Sequence, residues 1–346
     1  MADGGFSSNR LPTFVAPTPL VVAATSRVLT EALDFYYERA AHRQLPPDHY
    51  VAPQIVSQSS GDILFIRGML HFEPSNPYLN TFRAQGFDVR VHRYSKEVEA
   101  NKLRQWPENA VDLLIRILEN PYFLKPQQIL IGHSAGGNQL IPLKAMALGV
   151  DPGKIIEVLP KNDTLWNLIL DDKRVERASR QLADSLFIAE GAPLMGVELT
   201  LPGRIAKRHA IERLIPGLLS ALTVRNMANV YNKLSLDPKK AVDGVIYSET
   251  APLDLSTNQN PLSLAAHGAT QAIYRAFTPF LKIEKAERHD GIVPADSARV
   301  GWSELERDLR ELKVHFDHLG LVEFAAAAAS TLQLISQLRG AESVYN

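Results

Sequence analysis

Apolar positions along this chain follow two rhythms. From Asp62 onward, short runs of adjacent apolar residues trade places with stretches in which apolar residues recur every three or four positions. The runs "DILFIRGM" (62–69) and "QQILIGHS" (127–134), and the period-two alternation of "FDVRVHRY" (87–94), read as strands. Between and after them, "PYLNTFRAQG" (77–86), "PENAVDLLIRILEN" (107–120) and "GNQLIPLKAMALG" (137–149) carry helical spacing. Gly86 and Gly149 stand where helices end, and Pro107 stands where one begins. "KIIEVLP" (154–160) reads as a further strand. Strand–helix–strand repetition at this interval implies parallel pairing through right-handed crossovers, and hence an α/β sheet.

The rhythm changes between about Lys161 and Thr278. Here the pattern is long, mainly helical and irregular, with an apolar stripe at Leu214, Ile215, Leu218, Leu219 and Leu222 that Pro216–Gly217 interrupts. Two readings stand. The stretch is a packed helical insertion, as apolar stripes usually are, or a lid that moves over an apolar cleft. Strand signals return in "FLKIEKAERHDGIVP" (280–294) and "ELKVHF" (311–316), and the chain runs out in an Ala-rich helix. Before Asp62, helical spacing at 26–43 follows an arm of small and polar residues and precedes a break at "QLPPDHY". The expected division is an arm and helix over 1–60, a core formed by 61–160 and 279–346, and a mainly helical cap over 161–278.

Composition narrows the possibilities. Of 346 residues, 45% are hydrophobic, enough to fill a sizeable core. The formal net charge of −1 gives no basic excess to bind nucleic acid. There is no cysteine, so neither disulfides nor thiolate metal sites are available. The apolar run "PTPLVVAATS" (17–26) is too short to span a bilayer and lacks a preceding Lys/Arg cluster. A cytoplasmic protein with no membrane-spanning segment is expected, with export left open. Oligomeric state is not legible.

One turn carries chemistry. Gly132-His133-Ser134-Ala135-Gly136 fits G-x-S-x-G, follows a strand-like run and opens a helix, which is the context that motif needs. A nucleophile on a sharp strand-to-helix turn takes a strained backbone, so the residues two before and two after it must be small. The alternative is a plain glycine-rich turn. A dinucleotide fingerprint is not offered, because G-x-G-x-x-G is absent here.

Serine needs a base to take its proton and an acid to orient that base. In the order Ser…Asp…His, Asp290 and His318 are favoured. Asp290 opens a turn, and His318 sits in a loop past the strand-like "ELKVHF". His315 and Asp296 are their rivals, whereas Asp317 is adjacent to the base and points away from it. The Ala135 amide is one candidate oxyanion donor, and the turn at Gly68–Met69 should supply the other.

Four segments then show a resemblance. Arg67-Gly68-Met69-Leu70, the serine turn, His289-Asp290-Gly291-Ile292-Val293 and Asp317-His318-Leu319 come in the order found in bacterial triacylglycerol lipases of the lactonising type, within the α/β-hydrolases. The likeness covers about 62–159 and 280–324. It implies an α/β-hydrolase fold with a mostly parallel sheet, helices on its flanks and a helical lid. It also implies a Ser134–His318–Asp290 triad, an oxyanion hole made by the amides of Met69 and Ala135, and substrate contacts from Leu70, His133, Ile292 and Leu319. The implied substrate is a small-molecule ester with an apolar acyl group, handled without a cofactor. The same residues would serve a thioesterase, lactonase, amidase or acyltransferase, and a silent fold used for binding is the remaining alternative.

Two departures matter. Arg67 replaces the family's histidine and would either brace its loop through a carboxylate or bind an acidic substrate group. Gly320 stands where the family has an aspartate that ligates calcium, so no metal is expected. Trp166 and Phe187 would line an acyl pocket or simply pack in the core.

Overall fold

The computed structural model describes residues 61–68, 73–100, 105–198, 221–248, 290, 293–314, 316, 318, 320–322 and 325–345. The expected helix at 26–43, the stripe at 214–219, the strand signal at 280–289, and Met69, Leu70, Ile292 and Leu319 lie outside these residues.

Among the described residues, six strands form one sheet: β1 (Gly61–Ile66), β2 (Phe87–Val91), β3 (Ile129–His133), β4 (Leu186–Glu190), β5 (Gly244–Ser248) and β6 (Glu311–Val314). Their spatial order is β2-β1-β3-β4-β5-β6, and every pairing is parallel. Helices α1 (Asn76–Ala84), α2 (Lys96–Ala100), α3 (Trp106–Glu119), α4 (Ala135–Ala147), α5 (Pro152–Glu157), α6 (Asp163–Ile169), α7 (Asp172–Ala183), α8 (Val224–Leu234), α9 (Ala295–Ala298), α10 (Glu304–Arg310) and α11 (Ala325–Tyr345) make the connections.

Both faces of the sheet are covered, which explains why the inner strands β1 and β3 read as apolar runs, whereas the edge strands β2 and β6 keep charged residues. Side chains alternate between faces along each strand. Leu64, Ile66, Leu130, Phe187, Ala189, Val245 and Tyr247 pack with α3, α4, α7 and α8. Ile63, Phe65, Ile129, Ile131, Ile188 and Ile246 pack with α1 and α11 on the other face. Burying one such large aliphatic side chain contributes about 1.5–3 kcal/mol, so the sheet is a stiff base for anything at its rim.

The helix ends follow local chemistry. Ser75 accepts from the Tyr78 amide to start α1, and Gly86, with φ +89, lets the chain turn back into β2. Asn162 and Asp171 cap α6 and α7 through their side chains. Gly149, with φ +73, follows α4.

Two expectations change. "KIIEVLP" is not a strand. Asp151 accepts from the Gly153 amide, Pro152 occupies the first turn, and residues 154–157 of the segment form the end of α5, whose only buried residue is Ile155. The cap expected over 161–278 is also too broad, because β4 and β5 lie inside it and are core strands. Each is a five-residue run, buried but for the partly buried Leu186, set between helical patterns, which hides its signal.

The strand order positions the site. The chain steps from β1 to β2 on one side, then returns past β1 to lay down β3 on the other. A crevice opens at the carboxyl ends of strands flanking such a reversal. Arg67–Gly68 leave β1 there, and His133–Ser134 leave β3.

Candidate active site

Ser134 sits between β3 and α4 with φ 54 and ψ −132, a conformation that costs a non-glycine residue about 1–3 kcal/mol. Surrounding contacts hold it. Its amide donates to the Glu190 carbonyl at 2.8 Å, and its carbonyl accepts from the Gly137 amide at 2.9 Å. The neighbouring glycines are required by space. A Cβ on Gly132 would lie 2.5 Å from the Gly136 oxygen, and one on Gly136 would lie 2.3 Å from the Ile66 oxygen. Gly137 touches Ala192 in the same way, at 2.3 Å. Ala135 is the first residue of α4, so its amide belongs to the unpaired first turn of a 13-residue helix. Gly68 brings the end of β1 onto this turn: a Cβ there would fall 2.7 Å from Ser134 Cβ and 3.2 Å from the Ala135 nitrogen.

Asp290 and His318 meet although 28 residues separate them. Asp290 Oδ2 is 2.6 Å from His318 Nδ1, and both side chains are buried. The backbone reinforces the pair. The His318 amide donates to the Asp290 carbonyl at 2.7 Å, and the Val293 amide donates to Asp290 Oδ1 at 2.6 Å. With its Nδ1–H directed at the carboxylate, His318 presents Nε2 as a proton acceptor. Asp296, the rival acid, is exposed on α9, whereas His315 and Asp317 lie outside the described residues.

One short stretch joins the serine to this pair. Glu190 accepts the Ser134 amide, and a Cβ on the next residue, Gly191, would lie 3.0 Å from Asp290 Oδ2 and 3.3 Å from His318 Nδ1. Gly191 has φ +53, which suits glycine. The backbone of Ser134 and the Asp290–His318 pair thus both meet the carboxyl end of β4.

His133 is placed differently from the substrate contact expected of it. It is buried, its Nε2 lies 2.8 Å from the His318 carbonyl, and the two rings are 4.7 Å apart between centroids. Burial, with His318 beside it, lowers its pKa to about 3. The neutral ring therefore donates Nε2–H and anchors the loop that carries His318.

Arg67 is buried and binds carboxylates of the chain itself. Its guanidinium donates to Glu99, to Glu73 at 3.5 Å and to the His92 carbonyl at 3.0 Å. Of the two roles open to it, these contacts favour the brace. Its own carbonyl accepts from Tyr94 Oη at 2.7 Å and from Gln139 Nε2 at 3.1 Å. Phe187 belongs to the core, and Trp166 is half exposed on α6. Tyr94, Gln139 and Glu190 escaped sequence reasoning, since their partners lie 27, 72 and 112 or more residues away. Among the described residues, no group of three His, Asp or Glu side chains is placed to hold a metal ion, and no helix is long and apolar enough to cross a membrane.

A parallel sheet flanked by helices, with a strained serine between a central strand and a helix, is an α/β-hydrolase-like arrangement. No protein-family model matches the chain, and neither does any curated protein. Among solved structures the chain is similar to the lipase BlEst2 of Bacillus licheniformis. Against the mature form the identity is 12% and the TM-score 0.42, with 86% of this chain and 96% of that one covered. Against the propeptide form the identity and TM-score are the same, with 85% and 52% covered.

Proposed function

We propose that the chain is a serine hydrolase that cleaves carboxylic esters through an acyl-enzyme. One observation carries this reading: a buried His318–Asp290 pair at 2.6 Å stands beside a serine held at φ 54. In this scheme Ser134 Oγ attacks the ester carbonyl and passes its proton to His318 Nε2. Asp290 holds the imidazole in the right tautomer and stabilises the imidazolium. The oxyanion forms against the Ala135 amide at the start of α4, with the Met69 amide as second donor. His318 then protonates the leaving alcohol, and water enters by the reverse sequence to release the acid. Every group used belongs to the chain, so the reaction needs no cofactor. The substrate class is a small-molecule ester with an apolar acyl group, shaped by residues of the 161–278 stretch.

The test is labelling by a fluorophosphonate, followed by mass spectrometry of the modified peptide. The wild-type chain should carry the adduct on Ser134, and Ser134→Ala should carry none. Equal labelling of the two would end this reading. Turnover of p-nitrophenyl esters from short to long acyl chains then grades the acyl pocket.

A further inference from the structure

Glu190 is a buried carboxylic acid that the proposed chemistry does not consume. Its main chain accepts the Ser134 amide, and the residue after it abuts Asp290 and His318. Its side chain points elsewhere. Tyr78 Oη, on α1, is 2.8 Å from both carboxyl oxygens. Thr331 Oγ1, on α11, is 2.5 Å from Oε1 and 3.2 Å from the Ala327 carbonyl. The neighbouring strands contribute His133 and Ile246 as its register partners. His133 is neutral and directs Nε2 to the His318 carbonyl, which leaves Tyr78 and Thr331 as the side chains bonded to the acid.

We propose that Glu190 is a positioning residue: its carboxyl fastens the carboxyl end of β4 to α1 and α11, and so fixes the carbonyl on which the Ser134 amide hangs. This rests on the reading of Ser134 as nucleophile. Ser134 occupies a strained turn, and a strained turn persists only where its surroundings over-determine it. The Ser134–Glu190 bond is one of those determinants, and the Glu190 carboxyl adds ties to α1 and α11, out of the plane of the sheet, to those that β3 and β5 already give the strand end. A misplacement on the 1 Å scale costs catalysis heavily. Burial raises the Glu190 pKa to about 7, so both protonation states are populated near neutrality. The clamp accommodates both. As a carboxylate, Glu190 accepts from Tyr78 and Thr331. As an acid, it donates to Thr331, which turns its own proton to the Ala327 carbonyl. Glutamine reproduces the second pattern.

The experiment compares Glu190→Ala, Glu190→Gln and wild type, using the fluorophosphonate phosphonylation rate constant per folded protein together with kcat and KM for a p-nitrophenyl ester. Glu190→Ala should lower the phosphonylation rate and kcat about tenfold or more, with KM within about twofold, and Glu190→Gln should recover most of the loss. A purely structural role would lower the melting temperature but leave the rate constant of the folded fraction untouched, and that result overturns the proposal. Equal losses in the alanine and glutamine variants also overturn it. If Glu190→Ala does not fold, Tyr78→Phe and Thr331→Val take its place. Each should slow phosphonylation by about threefold, and their effects should be non-additive; unchanged rates refute the clamp. Wild type that fails to label at Ser134 defeats the functional reading itself, so the two failures are distinct.

Discussion

Arg67 shows how a residue that takes no part in proton transfer can still govern the site. Its guanidinium is neutralised by Glu99 and Glu73, and its carbonyl is gripped by Tyr94 and Gln139. Gly68 follows at once and leans on Ser134 and the Ala135 amide. The bonds to Arg67 therefore set the height at which the end of β1 passes over Ser134 and the Ala135 amide. Removing one hydroxyl is the mildest test. Tyr94→Phe should lower kcat by about twofold to tenfold, the worth of one net hydrogen bond, and leave KM nearly unchanged. An equal rise in KM would place Tyr94 in substrate binding instead. Asp290 acts on His318 more directly. Asp290→Asn should retain fold and KM but lower kcat by about 10³- to 10⁴-fold, because the amide stabilises the wrong imidazole tautomer. A steady-state assay at neutral pH decides it, and a loss under tenfold would reassign the acid.

At the scale of elements, the turn between β3 and α4 is the best test of close packing. Gly136, in the first turn of α4, and Gly149, just past its end, answer to different physics. A methyl on Gly136 would collide with the Ile66 carbonyl, a backbone atom that cannot step aside. A methyl on Gly149 meets nothing within 4 Å, and its φ of +73 is the only penalty. Gly149→Ala should lose about 1–2 kcal/mol and stay active, whereas Gly136→Ala should unfold at a markedly lower temperature and lose activity. Thermal melts with an ester assay separate the two, and similar losses would contradict the steric account. Much of this element was legible in the sequence, because steric need writes itself into residue identity: three glycines around one serine mark a turn too crowded for side chains. Strands β1 and β3 were legible as apolar runs bounded by turn residues, and β2 by its alternation of apolar and polar positions. Strands β4 and β5 were not, since a five-residue run without alternation, set among helical patterns, looks like one more helical stripe. The "DPGK" start of α5 outweighed the apolar run behind it. Asp290 and His318 could be proposed from their loops, but nothing local announces that Glu99 pairs with Arg67 or that Thr331 reaches Glu190. Those contacts depend on where whole helices come to rest.

At the scale of the molecule, Glu190 joins β4 to helices from opposite ends of the described chain, α1 and α11, so its ionisation bears on the stability of the entire fold. Burial raises its pKa from the ordinary 4.5 to about 7. Between those values the folded chain holds a proton that the unfolded chain has released, and folding stability falls as pH rises through that interval. The favourable contribution is complete below about pH 4.5 and gone above about pH 7. A shift of this size corresponds to roughly 3 kcal/mol. Glu190→Gln has no such titration, while every other ionisable group is common to both proteins and cancels in their difference. The melting temperature of Glu190→Gln relative to wild type should therefore climb from pH 5 to about pH 7 and level off above it. A difference that stays constant across that range would mean that Glu190 titrates as an ordinary carboxylate, and a difference that falls would mean that its charged form is the one the fold prefers.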